Sequence, residues 1–238
     1  MIGKWLTMQS CTQCPIREIS VCHSLSADKL DELSRTGRRQ TLAAGQTLMW
    51  QGDEAVLVGN VIDGTMKLAV SSPDGRDQML GIAYPGDFIG RAFGSRNLHS
   101  VTAVTDSQVC TFRRSTFDGF ARHQSNLEHD LLERTLTELD RVRQWMLMLG
   151  RMNAAQRVAS FLIETASRLR PEDASKMTDI QVTLPFGRQE IADLLGLTIE
   201  TVSRQFTALR KNGTIDIPGR RSIVIRDRRA LEVCAAGN

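Results

Sequence analysis

The chain has 238 residues, 41% apolar and 24% charged. That composition suits one large or two modest globular domains and excludes both a low-complexity disordered chain and a disulfide-dense miniature. No apolar run approaches the roughly 20 residues of a membrane helix. Met1 to Ser10 has one Lys and no long apolar stretch, so no membrane contact and no export signal are expected, and the expected compartment is the cytoplasm. The net charge of +3 is unevenly spread. Residues 1–150 hold 16 Lys/Arg against 17 Asp/Glu, and residues 151–238 hold 14 against 10, so the basic excess sits in the last third, as a nucleic-acid surface would require.

The N-terminal 27 residues carry three of the five cysteines, Cys11, Cys14 and Cys22; the others are Cys110 and Cys234. Without an export signal these are not expected to pair as disulfides, and three within twelve residues signals a metal site. Ser26 can cap a short helix whose apolar side is Leu30 and Leu33. From about 38 to 112 short apolar or alternating runs (46–50, 56–62, 66–70, 78–82, 101–104, 108–112) lie between turn residues, with Gly45, Gly52, Gly64, Gly75 and Gly86 at intervals of 7, 12, 11 and 11. Ser72-Pro73-Asp74-Gly75 is a hairpin turn in type. The pattern predicts a small barrel or roll.

From about 115 to 150 the spacing predicts one long helix. Leu132, Leu139 and Met146 recur every seven residues, and so do Thr135, Val142 and Leu149. This is a heptad seam expected to pair with a second copy of the chain. A second stripe, Leu131, Leu136 and Trp145, is available to face its own domain. Residues 150–153 read as a hinge, 154–169 as an amphipathic helix buried through Val158, Phe161, Leu162 and Ala166, and 171–179 as a polar loop. Cys234 falls in what reads as a loose C-terminus.

Residues 188–212, RQEIADLLGLTIETVSRQFTALRKN, contain a helix with Ile191, Ala192, Leu194 and Leu195 inward, a turn at Gly196, and a second helix capped by Thr198 that buries Val202, Phe206 and Leu209. That is a helix-turn-helix, whose second helix reads base edges in the major groove. Glu200 and Arg204 share a face of it. Arg204 suits guanine and Glu200 suits the cytosine amino group. Arg188, Thr198, Lys211, Arg220 and Arg221 are candidates for phosphate contacts, which set register and affinity. The stretch after Gly213 reads as a hairpin, making the motif winged. The expected fold is therefore α+β, in four parts: cysteine segment 1–27, β-roll 28–114, dimerisation helix 115–150, and winged helix-turn-helix 151–238.

This helix-turn-helix behind a roll and a dimer helix resembles the CRP/FNR superfamily over nearly the whole chain. Thr198-Ile-Glu-Thr-Val-Ser-Arg204 is similar to its FNR branch. The resemblance implies that Glu200, Ser203 and Arg204 read a TTGAT half-site of a TTGAT-N4-ATCAA palindrome, with a homodimer as the reader and RNA polymerase as a partner. Cys11-x2-Cys14-x7-Cys22 with the distant Cys110 resembles the FnrL/FnrN-type oxygen regulators. The resemblance implies that these four cysteines hold a [4Fe-4S] cluster. Four thiolates also suit a structural zinc, which Cys-x2-Cys does not exclude, so the alternative is a DNA-binding dimer with a structural zinc or no metal and a different signal. A cyclic nucleotide is not expected, because the stretch Asp87-Phe-Ile-Gly-Arg-Ala and Leu98-His99-Ser100 lacks the Glu and the Arg-Ser pair of the cyclic-nucleotide branch. Some relatives carry an acidic residue on the seam near Val142. An apolar residue there favours association by about 1–2 kcal/mol. The alternative from another class is an Fe–S redox enzyme or electron carrier using the same cysteines. The sequence shows no Gly-rich nucleotide loop and no Ser/His/Asp grouping, and no enzyme is expected.

Overall fold

The computed structural model describes residues 11–71, 77–173 and 175–237, so the turn expected at 72–75 lies outside the described residues. The chain divides into two compact units, Met1–Glu138 and Leu139–Asn238.

The first unit opens with three single-turn 3-10 helices, Cys11–Gln13, Arg17–Ile19 and Val21–Ser24, followed by α1 (Ala27–Ser34). Eight strands follow: β1 (Arg38–Leu42), β2 (Thr47–Met49), β3 (Leu57–Asp63), β4 (Met66–Ser71), β5 (Asp77–Ala83), β6 (Phe88–Gly90), β7 (Ser100–Ala103) and β8 (Ser107–Arg113). They form two antiparallel four-stranded sheets, ordered β1-β8-β3-β6 and β2-β7-β4-β5, which is the expected roll. Alternation along a strand sends successive side chains to opposite faces. In β8, Val109 points into the core between the sheets with Leu42, Met49, Val61, Met66 and Val101, while Cys110 and Phe112 point outward.

That outer face is covered too. Val21 and Leu25 of the cysteine segment, Leu30 and Leu33 of α1, Val58, Phe112, and residues of the next two helices form a second core. Burying each of its large side chains contributes about 1.5–3 kcal/mol, so the cysteine segment is fastened to the roll by Val21 and Leu25.

The single helix expected over 115–150 is instead two, α2 (Arg114–Ala121) and α3 (Ser125–Arg151). Phe117 and Ala121 of α2 and Leu127 and Leu131 of α3 enter the same core. A straight helix would set Phe117 and Leu131 about 21 Å apart, and the break at 122–124 brings both to one cluster. This preference is tertiary: no Pro or Gly stands at 122–124 itself, although Gly119 lies just before it.

The second unit holds the end of α3, then α4 (Ala154–Leu169), β9 (Ile180–Thr183), α5 (Arg188–Leu195), α6 (Ile199–Lys211), β10 (Ile215–Asp216), β11 (Ser222–Ile225) and α7 (Arg228–Ala236). α3 runs through Arg151, so the expected hinge narrows to Met152 and Asn153. Asn153 caps α4, its Oδ1 accepting from Gln156 N at 3.1 Å while Gln156 Oε1 accepts from Asn153 N at 2.9 Å. The wing hairpin pairs Ile215 with Ile225 and Asp216 with Val224, and β9 joins β11 to give a three-stranded sheet. Two elements were not anticipated. β9 is four residues long, and α7 fully buries only Leu231. Cys234 therefore lies on a packed helix rather than in a loose tail, its thiol 3.8 Å from the Ala155 carbonyl. Among the described residues no helix is long and apolar enough to cross a membrane.

Candidate nucleic-acid interface and cysteine pocket

α5 starts at Gly187, whose N–H donates to Glu190 Oε2 at 2.7 Å. It ends at Gly196, which adopts φ 61°, a left-handed conformation that suits Gly. Leu197 N then bonds the Ala192 carbonyl at 2.9 Å, and Thr198 Oγ1 accepts from Thr201 N at 3.2 Å to start α6. The buried stripe Val202, Phe206 and Leu209 fixes the rotation of α6, leaving Glu200, Ser203, Arg204 and Lys211 exposed. Arg204 Nη2 donates to Thr201 Oγ1 at 3.1 Å rather than pairing with Glu200. Both charged heads therefore stand on the open face of the recognition helix.

The phosphate candidates divide. Thr198, Lys211, Arg220 and Arg221 are exposed. Arg221 also ties the wing to α5, donating from Nη1 to the Pro185 carbonyl at 3.0 Å and lying 4.0 Å from Glu190. Arg188 is half-buried, its guanidinium 3.5 Å above the centre of the Phe206 ring, a cation–π stack. Burial holds its pKa below the ordinary value. It props α6 from beneath instead of reaching outward.

Sequence reasoning missed Arg157. From α4 it donates to three backbone carbonyls at 2.9 Å each: Leu149 in the last turn of α3, Met152 in the hinge, and Leu195 at the end of α5. The last carbonyls of a helix have no intrahelical partner and favour a cation. One Arg inside an amphipathic helix gives no such signal in sequence.

All six seam positions, Leu132, Thr135, Leu139, Val142, Met146 and Leu149, are exposed, with Leu132 at 56% and Met146 at 69%. The second stripe departs from expectation. Leu131 is buried and Trp145 half-buried, but Leu136 is 52% exposed and lies beside the seam. An apolar stripe on a long helix is left for a partner to cover.

The cysteine pocket belongs to the first unit. Cys14 N bonds the Cys11 carbonyl at 3.3 Å. In a 3-10 turn residues i and i+3 eclipse, so these two cysteines share a side. Ser20 Oγ accepts from Cys22 N at 3.4 Å and starts the turn that carries Cys22. Cys110 arrives from β8. All four are half-buried and line one pocket with Ile16, Leu30, Leu33, Gly37, Arg39 and Asn60. Burial, and then the neighbouring thiols, push Cys22 up to about 11 and Cys110 up to about 12; burial also raises Cys11. Gly59, beside Asn60, allows β3 to lie close to β8, since a Cβ there would come 2.3 Å from the Cys110 carbonyl. Arg134 of α3 donates to the Ile19 carbonyl at 3.0 Å, tying the cysteine segment to that helix. His23, next to Cys22, is exposed and does not line the pocket. Among the described residues no three His, Cys, Asp or Glu converge closely enough to hold one metal ion.

A recognition helix with open polar heads, braced by a wing, makes this a DNA-binding regulator of transcription. Residues 156–234 match the family described as the Crp-like helix-turn-helix domain, and residues 39–124 match the cyclic nucleotide-binding domain. The chain is 39% identical over 225 residues to the transcriptional activator protein FnrL of Cereibacter sphaeroides, covering 92% of this chain and 89% of that protein. It is 41% identical over 207 residues to the nitrogen fixation regulation protein FixK of Bradyrhizobium diazoefficiens, covering 87% and 86%. The solved structure of FixK2 from Bradyrhizobium japonicum superposes with a TM-score of 0.74 at 30% identity, over 82% of this chain and 96% of that one. The chain belongs to the CRP/FNR superfamily, in its FNR branch. It is a transcriptional activator of the Fnr/FixK type and not an enzyme; regulators of this family bind DNA and act as dimers.

Proposed function

We propose that this activator responds to oxygen, that Cys11, Cys14, Cys22 and Cys110 hold a [4Fe-4S] cluster, and that the homodimer binds a TTGAT-N4-ATCAA palindrome and engages RNA polymerase. The observation that carries the sensor reading is the pocket itself. Three cysteines of the N-terminal segment and one from a strand some ninety residues later line a single pocket. A [4Fe-4S] cluster would be held by four cysteine thiolates, and the pocket has four cysteines in its lining, while among the described residues no three of them converge as one zinc ion needs. The residues fit such a group in kind.

When bound, the cluster supplies an oxygen-labile link between the segment and the roll. The chain's own residues carry the consequence. Val21 and Leu25 pack in the same core as Leu127 and Leu131 of α3, and Arg134 binds the segment at Ile19. A change in how the segment sits is therefore felt at the start of the helix that carries the seam. Two arrangements of the seam then differ in population. The active one sets the two recognition helices about 34 Å apart, one turn of DNA. Cyclic nucleotide has no part in this reading. Ser100 Oγ accepts from the Gln51 backbone at 3.0 Å and Arg91 Nε turns back to the Phe93 carbonyl at 3.2 Å.

The test is iron, sulfide and zinc analysis on protein purified without oxygen. About four iron and four sulfide per chain, with colour that bleaches in air, supports the sensor. One zinc, or full oxygen-dependent DNA binding by Cys22→Ala or Cys110→Ala, refutes it.

A further inference from the structure

Cys110 is flanked in the sheet. Register sets Asn60 of β3 opposite it on one side and Arg39 of β1 opposite it on the other. Directly opposed residues of antiparallel strands project on the same face with Cβ atoms about 5 Å apart. Both neighbours line the pocket with the four cysteines. Asn60 is unusual for its place. It is 1% exposed, and its Oδ1 is buried without a hydrogen-bond partner among the described residues. Buried side-chain polar atoms are nearly always partnered, because an unpartnered one costs free energy. The adjacent opposed pair on the same face, Val58 and Phe112, is apolar and packs in the core. Packing alone would therefore be served by a Leu at position 60.

We infer that Asn60 is a positioning residue for the cysteine set, its side-chain amide donating an N–H to sulfur when a thiolate-bound group occupies the pocket. This rests on reading the four cysteines as ligands. An amide holds two donors and an acceptor, and a half-turn of its last torsion exchanges their places. Thiolate and sulfide sulfur only accept. Hydrogen bonds to sulfur, and the partners that orient ligands, set how readily such a group is oxidised or lost. Asn60 Oδ1 is without a partner among the described residues, and on loading the turned amide presents Nδ2 to sulfur, so removing the side-chain polar atoms is expected to stabilise the metal-free form and weaken the loaded one.

The experiment compares wild type with Asn60→Leu, which keeps the branching of the side chain and removes both polar atoms. Both proteins are prepared without oxygen, iron and sulfide are counted, reduction potentials are measured, and loss of colour is timed after air is admitted. The metal-free forms are then melted. In the loaded form, Asn60→Leu is expected to bleach about tenfold faster with a shifted potential. In the metal-free form it is expected to melt roughly 2–4 °C higher. Bleaching at the wild-type rate with an unchanged potential overturns the role of Asn60 and leaves the ligand assignment standing. A metal-free variant that melts lower makes Asn60 a packing residue and also overturns it. Wild type that binds no iron removes the ligand assignment, and this inference with it.

Discussion

Replacing Arg157 with Met is the most demanding test of how the DNA-binding unit is braced. Met keeps the apolar stem and deletes the guanidinium, leaving the carbonyls of Leu149, Met152 and Leu195 without their donor. A bond from a charged donor is worth about 1.5–3 kcal/mol. The bond to Leu149 is exposed, so water replaces it. The part-buried bonds to Met152 and Leu195 amount together to about 3–6 kcal/mol. Freeing the Arg rotamers returns up to about 2 kcal/mol. The net loss is about 3 kcal/mol, a fall in melting temperature of about 6–12 °C for a chain of this size. The assay is thermal unfolding by circular dichroism on the full chain, with anisotropy titration of a palindromic duplex below the transition. Arg157→Lys keeps the charge but not the fork, and should fall between the two. If Arg157→Met melts within about 1 °C of wild type and binds DNA equally well, the three bonds are not what braces α3, α4 and α5 together.

Val142→Asp puts a charge on each side of the seam and loses about 1–2 kcal/mol per copy; sedimentation equilibrium should show a dimer roughly 30- to 700-fold weaker, and an unchanged dimer would place the interface elsewhere. Arg204→Ala and Glu200→Ala should each cost about 1–3 kcal/mol at the base pair read and relax specificity there, whereas Lys211→Ala should weaken all duplexes alike and lower the salt slope by about one. Equal losses for Arg204→Ala on matched and mismatched half-sites would remove it from base readout. Gly59→Ala forces β3 from β8 beside Cys110 and should cost about 1–3 kcal/mol in urea unfolding; a neutral result would mean the strands part freely.

The helix-turn-helix was legible in the sequence because everything that makes it is local. The left-handed turn at Gly196, the Thr198 cap and the apolar spacing of Val202, Phe206 and Leu209 all lie within about twenty residues, and the structure has the same two helices. The roll was legible as strands, since alternation survives in each short run. The order of those strands was not, because pairing β8 with both β1 and β3 is a long-range choice. β9 and α7 escaped for the plainer reason that both are short, with four and nine residues.

Residue chemistry alone singled out Cys11, Cys14 and Cys22, the open face of α6 and the seam from Leu132 to Leu149, because thiols at ligand spacing, polar heads on a capped helix and heptads are properties of nearby residues; Cys110, far off in the chain, joined them only through the family resemblance. Only the tertiary structure set Asn60 and Arg39 on either side of Cys110, folded α2 back from α3 so that both reach one core, turned Arg188 onto Phe206, exposed Leu136, and gave Arg157 three carbonyls to hold. Each of these depends on which distant surfaces meet. That is decided by burying the most apolar area at once with polar groups satisfied, a condition on the whole chain that no window of sequence contains.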